Sequence, residues 1–204
     1  MIISVSAEEI RSSLKGALKI LFREPDALSK FNLTPEGFWN SFQAIWILLI
    51  PVGLAALAGR QALMEHHELT LEEFQSGLFF AVRIVGLGIE WVFMPIVLWL
   101  AADVLGIRTR YGPYVIARNW GSVIAGVAMA VPAVCQLAGL VNGDVAALAS
   151  LMLVGFVLVY HYRIARVTLE KEAPFCLGLV SVDFLVGIVL GEAIWSAFGG
   201  SILP

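Results

Sequence analysis

Charge is what this sequence has least of. Asp, Glu, Lys and Arg make up 14% of its 204 residues, where a soluble domain carries about a quarter. With 13 Lys and Arg and a net charge of −3, the strongly basic face of a nucleic-acid binder is excluded too. Cysteine is scarce as well. Cys135 and Cys176 are the only two, which leaves no disulfide framework and no zinc or haem spacing. Phosphate loops, HExxH pairs and nucleophile elbows are missing, so no cofactor, metal or catalytic constellation is expected. The opening "MIISVSAEEIRSS" lacks the basic start and apolar middle of a signal peptide. The first spanning helix is expected to direct its own insertion.

What is there instead is apolar side chain: 59% of residues are hydrophobic and the mean hydropathy is +0.87. A spanning helix needs about 20 mainly apolar residues. Five stretches qualify, at about 37–59, 77–103, 117–140, 145–162 and 174–199. The expected architecture is an all-α, polytopic membrane bundle of five helices over 35–204, preceded by an amphipathic interfacial region over 1–34. The second stretch contains Arg83 and Glu90, yet it also holds 14 Leu, Ile, Phe and Val between 77 and 102. These contribute roughly −4 to −8 kcal/mol to insertion, against about +2.5 to +3.5 for a central charge.

Basic residues set the expected orientation. Arg11, Lys15, Lys19, Arg23 and Lys30 precede the first span, Arg108, Arg110 and Arg118 lie around the second loop, and Arg163, Arg166 and Lys171 follow the fourth span. The alternate connections hold only Arg60. The positive-inside rule then places the N-terminus in the cytoplasm and the C-terminus in the periplasm of a bacterial inner membrane.

The N-terminal region has a helix signature of its own. Ser6 and Glu9 have capping-box spacing, with Val5 and Ile10 as a hydrophobic staple. Ile10, Leu14, Ala17, Leu18 and Leu21 fall on one face, and Arg11, Lys15, Lys19 and Arg23 form a row. That pattern suits contact with anionic lipid headgroups, or a helix packed under the bundle with its cations in water. Thr34 and Pro35 open the first span as N-cap and N1.

Arg83 and Glu90 are seven residues apart and share a helix face with Gly86. In the expected topology Glu90 and Asp183 lie near mid-membrane, and Arg83 and Glu192 farther out. Intramembrane acids default to functional candidates, here a proton or ion pathway. The plainer reading is a polar seam of Arg83, Glu90, Asp183 and Glu192 that holds helices together, with Arg83 neutralised by Glu90 or Glu192. Gly187 and Gly191 form a GxxxG pair, and Ser122, Gly126 and Ala130 a second small-residue stripe; both permit close helix approach. The loop "EHHELTLEEF" reads as a solvated acidic segment. Pro51, Pro95 and Pro132 interrupt spans as hinges or static bends. Trp39, Trp46, Trp91, Trp99, Trp120 and Trp195 read largely as an interfacial belt. A lipid-acting enzyme would have to assemble His161, Asn119 and Asp103.

The segments "REPDALSKFNLTPEGFWNSF", "YGPYVIARNW" and "YRIARVTLEKEAPFCLGLVSVDFLVG" are similar to an uncharacterised alphaproteobacterial inner-membrane family. With five spans and an amphipathic N-terminal region, the chain resembles the Yip1-domain membrane proteins, although "YGP" here precedes the third span rather than the first. The resemblance implies a membrane-organising or adaptor role without known catalysis. Expected partners are the bilayer and a membrane protein or a second copy of the chain. A small transporter or channel using Glu90 and Asp183 is the alternative.

Overall fold

A computed structural model describes residues 5–202. The expectations for residues 1–4 and for the C-terminal end at 203–204 lie outside the described residues. All regular structure among the described residues is helical: α1 (Ala7–Leu21), a 3-10 turn (Ala27–Lys30), α2 (Pro35–Ser41), α3 (Ala44–His66), α4 (Ser76–Ala101), α5 (Tyr111–Leu137), α6 (Gly143–Leu169), α7 (Ala173–Phe198) and a last 3-10 turn (Gly199–Ser201). Five stretches are long and apolar enough to cross a membrane: Pro35–His66, Ser76–Ala101, Tyr111–Leu137, Gly143–Leu169 and Ala173–Ser201.

Local chemistry sets where these helices begin. The Ser6 hydroxyl accepts from the Glu9 N–H at 3.1 Å, and the Thr34 hydroxyl accepts from the Gly37 N–H at 3.2 Å ahead of Pro35. Asn142 caps α6 by accepting from the Val145 N–H at 2.9 Å. The third span starts at Tyr111 rather than 117 because "YGP" forms its first turn, where Pro113 has no N–H bond to lose. The first span tightens into three-residue hydrogen bonds between Trp39 and Trp46, which divides it into α2 and α3.

α5 packs along α3 on one side and α6 on the other, and α4 and α7 complete the ring. Small residues set the spacing on the α5 side. A Cβ on Gly126 would lie 2.3 Å from Leu48 Cδ1 on α3, and one on Gly121 2.5 Å from Ile164 Cδ1 on α6. The Gly126 stripe is therefore used for close approach. The GxxxG pair is not: a Cβ on Gly187 or Gly191 meets no described atom within 4 Å. The tryptophans divide likewise. Trp39, Trp46 and Trp99 are exposed, as a belt requires, whereas Trp120 and Trp91 are core residues, 1% and 6% exposed.

α1 lies across one end of the bundle against α5 and α6. The Tyr160 hydroxyl of α6 donates to the Ala17 carbonyl at 2.8 Å. The buried residues of α1 are Ser13, Gly16, Ala17 and Ile20, a face centred roughly a quarter turn from the expected apolar face. Close approach decided this. A Cβ on Gly16 would lie 2.8 Å from the ring of Phe31 in the connector that folds back on α1, so small residues occupy the buried face while Leu18 stays 40% exposed. Arg11, Lys15 and Arg23 are exposed, and Lys19 pairs with Glu24 at 3.3 Å. The capping box is half formed. Instead of reaching back to Ser6, the Glu9 carboxylate accepts from Asn32 Nδ2 at 3.3 Å and Asn40 Nδ2 at 3.0 Å, tying α1 to the start of the first span.

Candidate functional site

The inner wall of the ring holds the densest polar chemistry of the bundle. Arg118 on α5 reaches Asp183 on α7 with a forked set of hydrogen bonds. Its Nη2 donates to Oδ1 at 3.0 Å and to Oδ2 at 3.2 Å, and its Nε donates to Oδ2 at 3.2 Å. The two side chains are 13% and 16% exposed. The planar guanidinium suits this geometry because its N–H groups match a carboxylate edge. The buried Tyr114, one turn earlier on α5, lies beside the same guanidinium. The Ser122 hydroxyl, one turn later, donates to the Arg118 carbonyl at 2.9 Å.

This ion pair borders a cavity of about 350 Å³ lined by four helices. α4 contributes Glu90, Phe93 and Met94; α5 contributes Arg118; α6 contributes Val157, Leu158 and His161; α7 contributes residues from Val180 to Leu190, Asp183 among them. Each helix thus brings one ionisable side chain. Along the helices, all four sit roughly 10–17 Å from the end at which α1 lies, at 1.5 Å per residue. They form one layer in the half of the bundle nearer α1.

The four are not equivalent. Arg118 and Asp183 neutralise each other. Glu90 lies within electrostatic reach of Arg83, Arg118 and Asp183, yet forms no ion pair within 4 Å among the described residues. His161 lies within reach of Arg118 and Asp183, and its Nε2 is buried with no hydrogen-bond partner among the described residues. The Glu90 carboxylate and the His161 Nε2 therefore flank an ion pair without a partner of their own among the described residues. An uncompensated charge in apolar surroundings is strongly disfavoured. A proton or a small cation would balance Glu90.

The four-residue seam expected from sequence is corrected on two members. Glu90 and Asp183 do share one cavity. Arg83 and Glu192 do not reach it. Arg83 lies over the Phe79 ring at 5.3 Å, and neither Arg83 nor Glu192 lines the cavity. Arg83 forms an ion pair with neither acid among the described residues. The residue that sequence reasoning missed is Arg118. Counted with the loop cations, it lies eight residues into α5. The signal that could have placed it was Pro113, which marks a first helical turn and moves the start of the span back.

A larger apolar groove of about 1000 Å³ runs between α2, α4 and α5, lined by Phe38, Trp39, Phe42, Pro95, Trp99 and Tyr111 among others. Its charged lining residue, Arg108, is held by Asp103 through Nε at 2.9 Å and through Nη2. Those hydrogen bonds keep the Asp103 carboxyl below its ordinary range. Tyr111 donates to the Pro95 carbonyl at 2.9 Å, tying the interrupted α4 to α5. The three side chains considered for a lipid-acting enzyme do not meet. Asp103 is engaged with Arg108, Asn119 is buried against the Ser41 hydroxyl at 3.0 Å, and His161 faces the charged cavity. No family model, curated protein or solved structure matches this chain.

Proposed function

We infer that this chain is a multi-pass membrane protein that takes up a proton or a small monovalent cation at Glu90, inside a cavity braced by the Arg118–Asp183 pair. The observation that carries this reading is the convergence of four ionisable side chains from four spans on one cavity, with only two of them paired to each other. A purely structural seam needs the Arg118–Asp183 pair alone. It gives no reason to bring Glu90 and His161 beside it. Asp183 acts as the fixed counter-ion of Arg118, and Glu90 as the group that changes state. The test is reconstitution of the full chain in liposomes with an internal pH reporter under an imposed potential. Wild type acidifies the lumen, and Glu90→Gln abolishes the flux while Arg83→Gln retains it. Equal, protein-independent leakage in all three would end this reading.

A second reading is supported by α7. A Cβ on Gly187 or Gly191, one turn apart on the same side of the helix, meets open space, and Gly191 is exposed. A partner helix on this face would make the chain an organising or adaptor subunit, the role implied by its likeness to Yip1-domain proteins. Crosslinking from Gly191→Cys to a second protein in intact membranes supports it; crosslinking to lipid alone does not. Both readings place the chain in a bacterial inner membrane with its N-terminus in the cytoplasm. Reporter fusions after Gly143 and Pro204 test that topology, and cytoplasmic signals at both would overturn it.

A further inference from the structure

A different cavity, of about 310 Å³, opens between the C-terminal ends of α1 and α6, lined by Ile20, Arg23, Glu24, Tyr162, Arg163 and Arg166 among others. Three guanidiniums thus meet around one small space. None of the three forms an ion pair within 4 Å among the described residues. The single carboxylate lining the cavity, Glu24, pairs outward with Lys19 at 3.3 Å. The arginines are held in place by backbone instead. Arg163 Nη1 donates to the Leu21 carbonyl at the end of α1, at 2.5 Å. Arg166 Nη1 donates to the Lys171 carbonyl beyond α6. Arg23, just past the Phe22 C-cap of α1, is in the left-handed region with φ of 57°, which redirects the chain after the helix.

These anchors use one nitrogen of each of the two α6 guanidiniums. An arginine carries five N–H donors. The Nε of Arg163 is buried and has no partner among the described residues, an arrangement that leaves a charge-bearing donor unmet where water is scarce. Like charges brought together without counter-ions repel, so the cluster calls for an anion. Forked guanidiniums pair bidentately with carboxylate and with phosphate, and three of them around one space suit the several oxygens that a phosphate presents.

We propose that Arg23, Arg163 and Arg166 form a binding site for a phosphate group at the membrane–water boundary. The height of the site fits a phospholipid headgroup. Tyr162 ends the apolar run of α6, and Arg163 and Arg166 follow it directly, so the cavity lies at the level where headgroup phosphates meet basic side chains. A free phosphate ester presents the same chemistry, and the test separates the two sources.

The full chain, purified in detergent, is titrated with phosphatidylglycerol, with zwitterionic phosphatidylethanolamine and with inorganic phosphate, reading bound species by native mass spectrometry and thermal stability in parallel. The test variant is Arg23→Gln/Arg166→Gln, which keeps Arg163 on the Leu21 carbonyl and so preserves the α1 contact. The control is Arg11→Gln/Lys15→Gln, which removes the same charge from α1 outside the cavity. The proposal expects phosphatidylglycerol to bind wild type and control alike, and the test variant at least about tenfold more weakly, the loss of charge-assisted hydrogen bonds. Stabilisation by inorganic phosphate alone, lost in the same variant, assigns the site to a soluble phosphate. Equal weakening in the control, or no phosphate-bearing species bound by wild type, overturns the proposal.

Discussion

The two sides of this bundle are held together by different means. On one side α5 meets α3 and α6 through Gly126 and Gly121, where a single added carbon would overlap a neighbouring side chain. On the other, α4 and α7 face the rest of the ring across a cavity bordered by a bidentate ion pair. Shape complementarity between small residues and branched ones needs close approach and leaves no room for water or ligand. Charged side chains need space for their hydrogen bonds, so they hold helices apart. The difference teaches where change can occur. The α3–α5–α6 side is a closely packed wall, and the open space lies toward α4 and α7, where the proposed uptake at Glu90 would act.

Substitutions can set the two sides against each other. The largest effect is expected at the ion pair. Arg118→Leu leaves Asp183 buried without its partner and should lower stability by about 3–5 kcal/mol, while the double change Arg118→Leu/Asp183→Leu should recover most of the loss. Unfolding in detergent micelles reads both, and a neutral Arg118→Leu would show that the seam does not brace the ring. On the packed side, Gly121→Leu should cost about 1–3 kcal/mol through overlap with Ile164 and Tyr160. Adding Ile164→Ala should relieve it, and no relief would mean that α5 and α6 do not meet at this point. A smaller loss, about 1 kcal/mol, is expected for Asn119→Ala, which removes the buried hydrogen bond to Ser41. The same unfolding experiment should rank it below Gly121→Leu.

The smallest effect lies outside both sides. Hydrogen bonds from Arg108 depress the Asp103 carboxyl. The stability they supply is complete above the unfolded value of about 3.9 and is lost as pH falls through the lower folded value. Arg108→Gln should move the Asp103 titration midpoint, followed by NMR, up toward that unfolded value. An unchanged midpoint would show that the pair is not held in solution.

Much of the fold could be read directly. The five spans follow from apolar length alone, and Ser6 and Thr34 cap helices because their hydroxyls reach an unmet N–H three residues on. Ends were less legible. The fourth span runs to Leu169 rather than 162, since Arg163 and Arg166 continue a helix past the apolar run with their side chains turned to the α1 end. Two members of the expected seam, Glu90 and Asp183, border one cavity. The other two members do not line that cavity. Arg83 and Glu192 lie closer to the far helix ends, where long side chains reach an interface and need no partner. Arg118 escaped notice because a cation near a span end is indistinguishable from a loop cation until the helix start is known.

The amino-acid sequence by itself determined that five apolar helices form, and that few charges stand within them. Both depend on contacts within a few residues or on the transfer energy of a side chain, and neither needs a neighbour. Tertiary structure alone decided that Arg118 meets Asp183 across 65 residues of chain, and that Glu90 and His161 join them. It likewise brought Arg23 to Arg163 and Arg166. Those encounters depend on how each helix is rotated and how closely it approaches the next. Glycines such as Gly16, Gly121 and Gly126 set that approach, through the space that a missing Cβ leaves for another chain segment.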